Sequence, residues 1–100
     1  MPAPPGEGLT ALVTGGSQGI GLEIVRGLLE AGMRVCVLCR DERSSAKTRA
    51  QLDGVAGPDA LTTYEADLAS QEAVRAFCSG FIDEHDSLNV LINNAATYVK

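Results

Sequence analysis

Aromatic and basic side chains are scarce in this 100-residue chain. Phe, Tyr and Trp together make up 4% of it, although 45% of the residues are hydrophobic and 21% are charged. This composition is ordinary for a soluble α/β protein and is too apolar for a disordered chain. The eight Lys and Arg residues are scattered and outnumbered by 13 acidic ones, which gives a formal net charge of -5. Because nucleic-acid binding requires clustered positive charge, we expect no nucleic-acid partner.

Long apolar runs are missing as well. No stretch approaches the roughly 18 to 20 consecutive apolar residues that a membrane-spanning helix needs. Residues 1–6 are rich in proline and lack the charged and then apolar layout of a signal peptide. We therefore expect a cytoplasmic protein without a membrane partner. Residues 1–8 have no periodicity and are predicted to form a flexible lead-in to one domain that spans residues 9–100.

Metal-ligating side chains are equally sparse. The single histidine, His85, has no cysteine or carboxylate at ligand spacing, so we expect no metal site and assign it a surface or capping role. Cys36 and Cys39 are spaced as C-x-x-C, but they lie on an extended apolar run, where an odd separation points side chains to opposite faces. We expect these two cysteines and Cys78 to be small buried hydrophobes in a reducing compartment.

What the chain does contain is an alternation of strand and helix patterns. Apolar runs predict strands at 9–14, 34–39, 61–66 and 88–93. Helices are predicted between them, and such an alternation is typical of a parallel sheet with helices on both faces. The predicted fold class is α/β, a doubly wound parallel sheet of about four strands.

Each predicted helix has its own signals. Apolar residues at helical spacing from Ile20 to Ala31 indicate the first, and Gly32 is its expected left-handed cap. The second, at 41–52, has a thin apolar stripe of Ala46, Ala50 and Leu52. Ser70 caps the third, whose apolar positions are Val74, Phe77, Cys78, Phe81 and Ile82.

A glycine-rich turn joins the first strand to the first helix. Gly15, Gly19 and Gly21 follow the spacing TGxxxGxG, and glycines let backbone N–H groups approach a pyrophosphate closely. The helix N-terminus adds roughly half a positive charge. The turn therefore predicts a nucleotide site at the carboxyl ends of the strands. The alternative is a glycine-rich turn that binds no ligand.

This turn resembles the cofactor turn of the short-chain dehydrogenase/reductase family, which has a Rossmann-type fold. Two later segments are similar to that family: Asp67-Leu68 after the third strand, and Asn93-Asn94-Ala95-Ala96, which resembles its NNAG segment with Ala96 in place of glycine. Several short segments are most similar to the carbonyl reductase branch, with the retinol-dehydrogenase-like branch as a near competitor. The asparagines also admit a purely structural interpretation, in which they join neighbouring strand ends.

The resemblance implies a nicotinamide cofactor, and the end of the second strand indicates which one. Where an NAD enzyme of this architecture usually has an acidic residue, this chain has Cys39 followed by Arg40, whose guanidinium can accept a 2′-phosphate. We predict NADP(H), although Gln18 stands where NADP-preferring members often have a basic residue. Alternatively, Arg40 is a solvated charge that pairs with Asp41 or Glu42. The predicted cofactor-binding residues are Gly15, Ser17, Gln18, Gly19, Ile20, Gly21, Arg40, Asp67, Leu68, Asn93, Asn94 and Ala95.

The same resemblance implies hydride transfer to or from a small-molecule carbonyl or alcohol. The family's general acid is a tyrosine four residues before a lysine, and no Tyr-x-x-x-Lys occurs in this chain. We assign no catalytic residue here, place the catalytic set downstream, and expect this chain alone to be inactive.

We also expect Val90, Leu91 and Ile92 to form an open apolar edge that promotes self-association. The oligomeric state is left open, with a monomer implied for the complete enzyme. The alternative function is a short, non-catalytic nucleotide-binding or interaction protein.

Overall fold

The computed structural model describes residues 6–15, 19–57, 59–67, 69–84 and 88–93. Its elements alternate strictly between strand and helix, as the sequence predicts. In chain order they are β1 (Thr10–Thr14), α1 (Gly19–Glu30), β2 (Arg34–Cys39), α2 (Glu42–Gln51), β3 (Leu61–Glu65), α3 (Gln71–Glu84) and β4 (Val90–Asn93).

The strands form one parallel sheet in the order β3-β2-β1-β4. On one face of it, buried residues of α1 and Leu52 at the end of α2 pack against Val13, Val35 and Val37. On the other face, Phe81 of α3 packs against Leu12. The chain therefore changes face when it passes from β3 through α3 to β4. The predicted Rossmann-type, doubly wound α/β fold is confirmed.

The end of α1 shows how local chemistry fixes an element boundary. Gly32 adopts a φ of 91°, which a residue with a Cβ rarely adopts. Its N–H donates to the carbonyl of Leu29 at 3.0 Å, and the N–H of Met33 donates to the carbonyl of Leu28 at 3.1 Å. These two bonds satisfy carbonyls at the end of the helix in a Schellman motif. The predicted left-handed cap is confirmed, and it turns the chain directly into β2.

The face that α2 turns to the sheet differs from the predicted one. Ala46 and Ala50 are exposed, whereas Ser45 and Thr48 are completely buried. The reason is that β3 offers polar partners: the Ser45 hydroxyl donates to Glu65 Oε2 at 2.5 Å. A serine or threonine side chain can also satisfy itself within its own helix, as Thr48 does by donating to the Ser44 carbonyl at 2.8 Å. The predicted alanine stripe is wrong, and only Leu52 of that stripe is buried.

The cysteines give a mixed result. Cys36 and Cys39 are buried in separate core clusters on opposite faces of the sheet, so the predicted burial and the predicted opposite orientation of this pair are confirmed. Cys78 is exposed, and the prediction that it is buried is wrong. Phe77 and Phe81 of α3 pack toward the core with Tyr64 of β3. Because one residue along a helix turns the side chain by about 100°, Cys78 points away from that aromatic contact.

The first described residues lie against the end of α1. The N–H of Gly6 donates to the carbonyl of Ala31 at 2.7 Å, and a Cβ on Gly6 would collide with the side chain of Met33. At the same end of the sheet, Thr10 N–H donates to Asn89 Oδ1 at 2.9 Å, which ties the residue before β4 to β1. Across the described ranges, no helix combines the length and apolar character that crossing a bilayer requires.

Candidate cofactor-binding site

The carboxyl ends of the four strands meet at one edge of the sheet. Thr14 at the end of β1 is level with Leu38 of β2 and Asn93 of β4. On the far side of β2, the N–H of Ala66 donates to the carbonyl of Cys39 at 2.9 Å. Gly15 and Arg40 immediately follow β1 and β2, and Asp67 is the second residue after β3, so parallel pairing places these sequence-distant residues along the same edge.

Two glycines of the turn after β1 have left-handed backbone conformations. Gly15 has a φ of 71° and Gly19 a φ of 59°. The N–H of Gly15 donates to the carbonyl of Leu38 at 3.4 Å, which holds the start of the turn against β2. Gly19 is the first residue of α1. Because a residue with a Cβ is strained in this region, the backbone itself explains why these two positions are glycine.

The first turn of α1 differs in charge from those of the other two described helices. Asp41 caps α2 and Glu42 lies in its first turn, while Ser70 accepts a bond from Ala73 N–H at the start of α3 and Glu72 lies in that first turn. The first turn of α1 contains no acidic residue. The N–H groups of a first helical turn have no partner within the helix and favour negative charge.

Within the described part of the chain, the space beside this helix terminus is open. Apart from its chain neighbours and the backbone of its own helix, a Cβ built on Gly19 would meet no described atom within 4 Å, so packing against these residues does not require glycine there. Gly21 is buried, whereas Gly19 and Ile20 are exposed. The positively polarised end of α1 and the open space beside Gly19 therefore fit the pyrophosphate of a dinucleotide.

An exposed apolar side chain lies next to this terminus. Ile20 is 75% exposed although it belongs to the first turn of α1. It lines an open depression together with Gly19, Leu22, Glu23 and Ile24. A large apolar side chain exposed beside an anion-favouring helix end provides an apolar contact surface for a ligand whose phosphate binds at that helix end.

Arg40 lies beyond β2 with its guanidinium in solvent. Its side chain is 84% exposed, and its Nε lies 3.8 Å from Asp41 Oδ2. The contact with Asp41 that the alternative interpretation of Arg40 requires is therefore present, but it is too long for a hydrogen bond and is made by Nε, not by the terminal nitrogens of Arg40. Cys39, the preceding residue, is buried with its Sγ 3.9 Å from Thr48 Oγ1, so its side chain points away from this edge.

Asp41 is held in place by α2. Its Oδ1 accepts a hydrogen bond from Ser44 N–H at 2.8 Å, which makes Asp41 the N-cap of the helix. The hydrogen bonds with Ser44, and then the nearby Arg40 and Arg43, lower the pKa of the Asp41 carboxyl below its ordinary value. Asp41 is therefore ionised at neutral pH, and a fixed negative charge lies beside Arg40.

Asp67 also has a fixed position at this edge. Its Oδ1 accepts from Ala69 N–H at 2.9 Å, and its carbonyl accepts from Ser70 N–H at 2.9 Å. These bonds form a turn that leads into α3 and leave Asp67 exposed. The turn uses only Oδ1 of the Asp67 carboxylate, so the second oxygen is not needed to close it.

The structure brings seven of the predicted binding residues to this edge: Gly15, Gly19, Ile20, Gly21, Arg40, Asp67 and, by its strand position, Asn93. The predictions for Ser17, Gln18, Leu68, Asn94 and Ala95 lie outside the described residues. The prediction treated Asp41 only as a partner for Arg40 and missed its role as a cap. An aspartate immediately before a helical pattern is the signal that identifies such a cap.

Comparisons with known proteins place the whole described sheet in one family of sequences. A family model described as short chain dehydrogenase matches residues 9–100. Retinol dehydrogenase 14 of Mus musculus is 41% identical over 101 residues, which cover 91% of this chain and 30% of that protein.

Two solved structures with NADP resemble the chain in three dimensions. The Pseudomonas aeruginosa RhlG/NADP active-site complex matches with a TM-score of 0.81 and 38% identity, over 97% of this chain and 38% of that one. A metagenomic short-chain oxidoreductase in complex with NADP matches with a TM-score of 0.80 and 33% identity, over 93% of this chain and 41% of that one. The chain thus spans well under half the length of the proteins it matches.

Proposed function

Because the chain belongs to the short-chain dehydrogenase family, we propose that it is the nucleotide-binding part of an NADP(H)-dependent oxidoreductase. The observation that carries this proposal is the meeting of the glycine turn and Arg40 at one edge of the sheet. The two similar structures determined with NADP support the same cofactor.

Each part of the edge has a role in binding. The N-terminus of α1 would bind the pyrophosphate, Arg40 would bind the 2′-phosphate, and the family resemblance implies that Asp67, after β3, would lie against the adenine. Ile20, which is 75% exposed beside the helix terminus, would contact the ligand and shield that contact from water. These contacts hold and orient the dinucleotide along the carboxyl ends of the strands, where ligands of open α/β sheets bind.

The reaction that we propose is hydride transfer between the cofactor and a carbonyl or alcohol. When bound, the nicotinamide supplies or accepts the hydride. We assign proton transfer to no residue of this chain, because the Tyr-x-x-x-Lys pattern of the family does not occur in it. That the substrate is like those of carbonyl reductases stays a prediction. The similar retinol dehydrogenase is named for an alcohol, so an alcohol or aldehyde is an equally good candidate.

Cofactor selection by Arg40 tests this proposal. We expect the purified protein to bind NADPH more tightly than NADH, as measured by isothermal titration calorimetry. Arg40→Asp should weaken NADPH binding by at least about ten-fold, because a charge-assisted phosphate contact is replaced by repulsion, and should change NADH binding by less than about two-fold.

Arg34→Asp is the matched control. Arg34 begins the same strand that Arg40 follows, and it is also exposed, but it lies at the amino end of the sheet. The control should leave both affinities unchanged. An unchanged ratio of NADPH to NADH affinity in Arg40→Asp would show that Arg40 does not bind the 2′-phosphate, and absence of binding to either dinucleotide would contradict the proposed function as a whole.

A further inference from the structure

The residues that follow β2 carry both signs of charge. Arg40, Asp41, Glu42 and Arg43 are consecutive and exposed, and their formal charges sum to zero. A 2′-phosphate carries about -1.5 to -2 charges at neutral pH. These four residues therefore contribute no net positive charge to the place where Arg40 would receive that phosphate.

Of these residues, Asp41 is the one whose position is fixed. Its Oδ1 is engaged by Ser44 N–H at 2.8 Å, and this bond holds the carboxylate so that Oδ2 lies 3.8 Å from Arg40 Nε. Glu42, by contrast, is an exposed side chain in the first turn of α2. A side chain that caps a helix cannot rotate away from an approaching anion without giving up the cap.

We propose that Asp41 is a specificity-determining residue, whose fixed carboxylate limits the preference of this site for NADP(H) over NAD(H). This inference rests on the proposed function, since it concerns the phosphate that Arg40 binds there. Asp41 acts in two ways: it repels the 2′-phosphate, and it offsets the charge of Arg40 without occupying the terminal nitrogens of the guanidinium. NAD(H), which has a hydroxyl in place of the 2′-phosphate, lacks the group on which both effects act.

Asp41→Asn separates the charge from the cap. Asparagine is as good an N-cap as aspartate, so α2 keeps its first turn while the charge is removed. We expect Asp41→Asn to bind NADPH about three-fold more tightly at about 0.1 M ionic strength, as expected for removal of one charge roughly 6 to 8 Å from a dianion in water. Binding of NADH should change by less than about 1.5-fold, because NADH lacks the 2′-phosphate and its pyrophosphate is assigned to the N-terminus of α1, away from Asp41.

The same calorimetric titrations include two further variants. Asp41→Ser also retains a capping side chain and should reproduce the gain for NADPH. Asp53→Asn is the matched control, because Asp53 is exposed and lies beyond the opposite end of α2. That helix of 10 residues is about 15 Å long, which exceeds the Debye length of about 8 to 10 Å, so this control should change neither affinity.

The outcomes separate this inference from the proposed function. The inference is supported if both Asp41 variants bind NADPH more tightly and if this gain in affinity shrinks at about 0.5 M NaCl, where salt screens the charges. Unchanged or weaker NADPH binding in Asp41→Asn would overturn the inference. If Arg40→Asp nevertheless loses the preference for NADPH over NADH, the proposed function still stands. If the protein with its natural residues binds neither dinucleotide, the proposed function fails and the inference fails with it.

Discussion

Gly19 and Gly27 belong to the same helix but are glycine for different reasons. Gly19 begins α1 with a φ of 59°, whereas Gly27 lies within α1 without a positive φ. Outside the helix's own backbone and the chain neighbours, a Cβ at either position would meet no atom of the described residues within 4 Å, so steric crowding does not distinguish them. The backbone conformation alone determines how each position responds to substitution.

We therefore expect opposite effects from the same substitution at these two positions. Gly19→Ala should lower the free energy of unfolding by about 1 kcal/mol, because alanine is strained in a left-handed conformation. Gly27→Ala should raise it by about 0.5 to 1 kcal/mol, because alanine is the better helix former. Urea unfolding followed by circular dichroism measures both. A stabilising Gly19→Ala would show that α1 does not begin in the described conformation.

At the level of elements, the strands and helices could be predicted because their signals are local. The continuous apolar run of β2 predicted Arg34–Cys39 with no error in its bounds, and Gly32 predicted the end of α1. The inward face of α2 could not be predicted, since it depends on what β3 offers across the contact. Ser45 is buried because Glu65, 20 residues later in the chain, accepts its hydroxyl.

The candidate site shows the same division. The glycine turn and Arg40 have short sequence patterns, and parallel strands bring their residues to a common edge. The charge balance around Arg40 has no such pattern, because it depends on a carboxylate that a helix cap holds in position. Side chains positioned by a hydrogen bond to another element are visible only when both elements are in place.

Glutamate substitutions on α2 test which face is buried. Ser45→Glu should lower the free energy of unfolding by at least about 2 kcal/mol, because it buries a charge next to Glu65. Ala46→Glu, one residue along the helix on the exposed face, should change it by less than about 0.5 kcal/mol. Thermal and urea denaturation give both values. Equal losses for the two variants would mean that α2 does not dock through Ser45.

At the scale of the whole molecule, the sheet separates two cores that share only its backbone. Leu12 faces α3, and its neighbours Ala11 and Val13 face α1. Leu91, level with Leu12 on β4, is 62% exposed, so the α3 face is less completely covered at that end. Self-association through this strand stays a prediction.

Each of the three cysteine thiols lies in a different one of these regions. Cys78 is on the outer surface of α3, Cys36 lies in the core beneath α3, and Cys39 lies in the core beneath α1 and α2. A thiol must reach solvent before an alkylating reagent can modify it. In the native protein we expect iodoacetamide to modify Cys78 rapidly and the other two at rates set by opening of the fold, with mass spectrometry of proteolytic peptides as the measurement.

Comparison of the two slow rates then tells whether the faces of the sheet open together. Equal rates for Cys36 and Cys39 indicate one cooperative unit, whereas a faster rate for Cys36 indicates that α3 detaches while α1 and α2 stay docked. Rapid modification of all three would contradict the buried positions described above. Two buried sulfur atoms only three residues apart thus allow the opening of each layer to be timed without adding any probe to the chain.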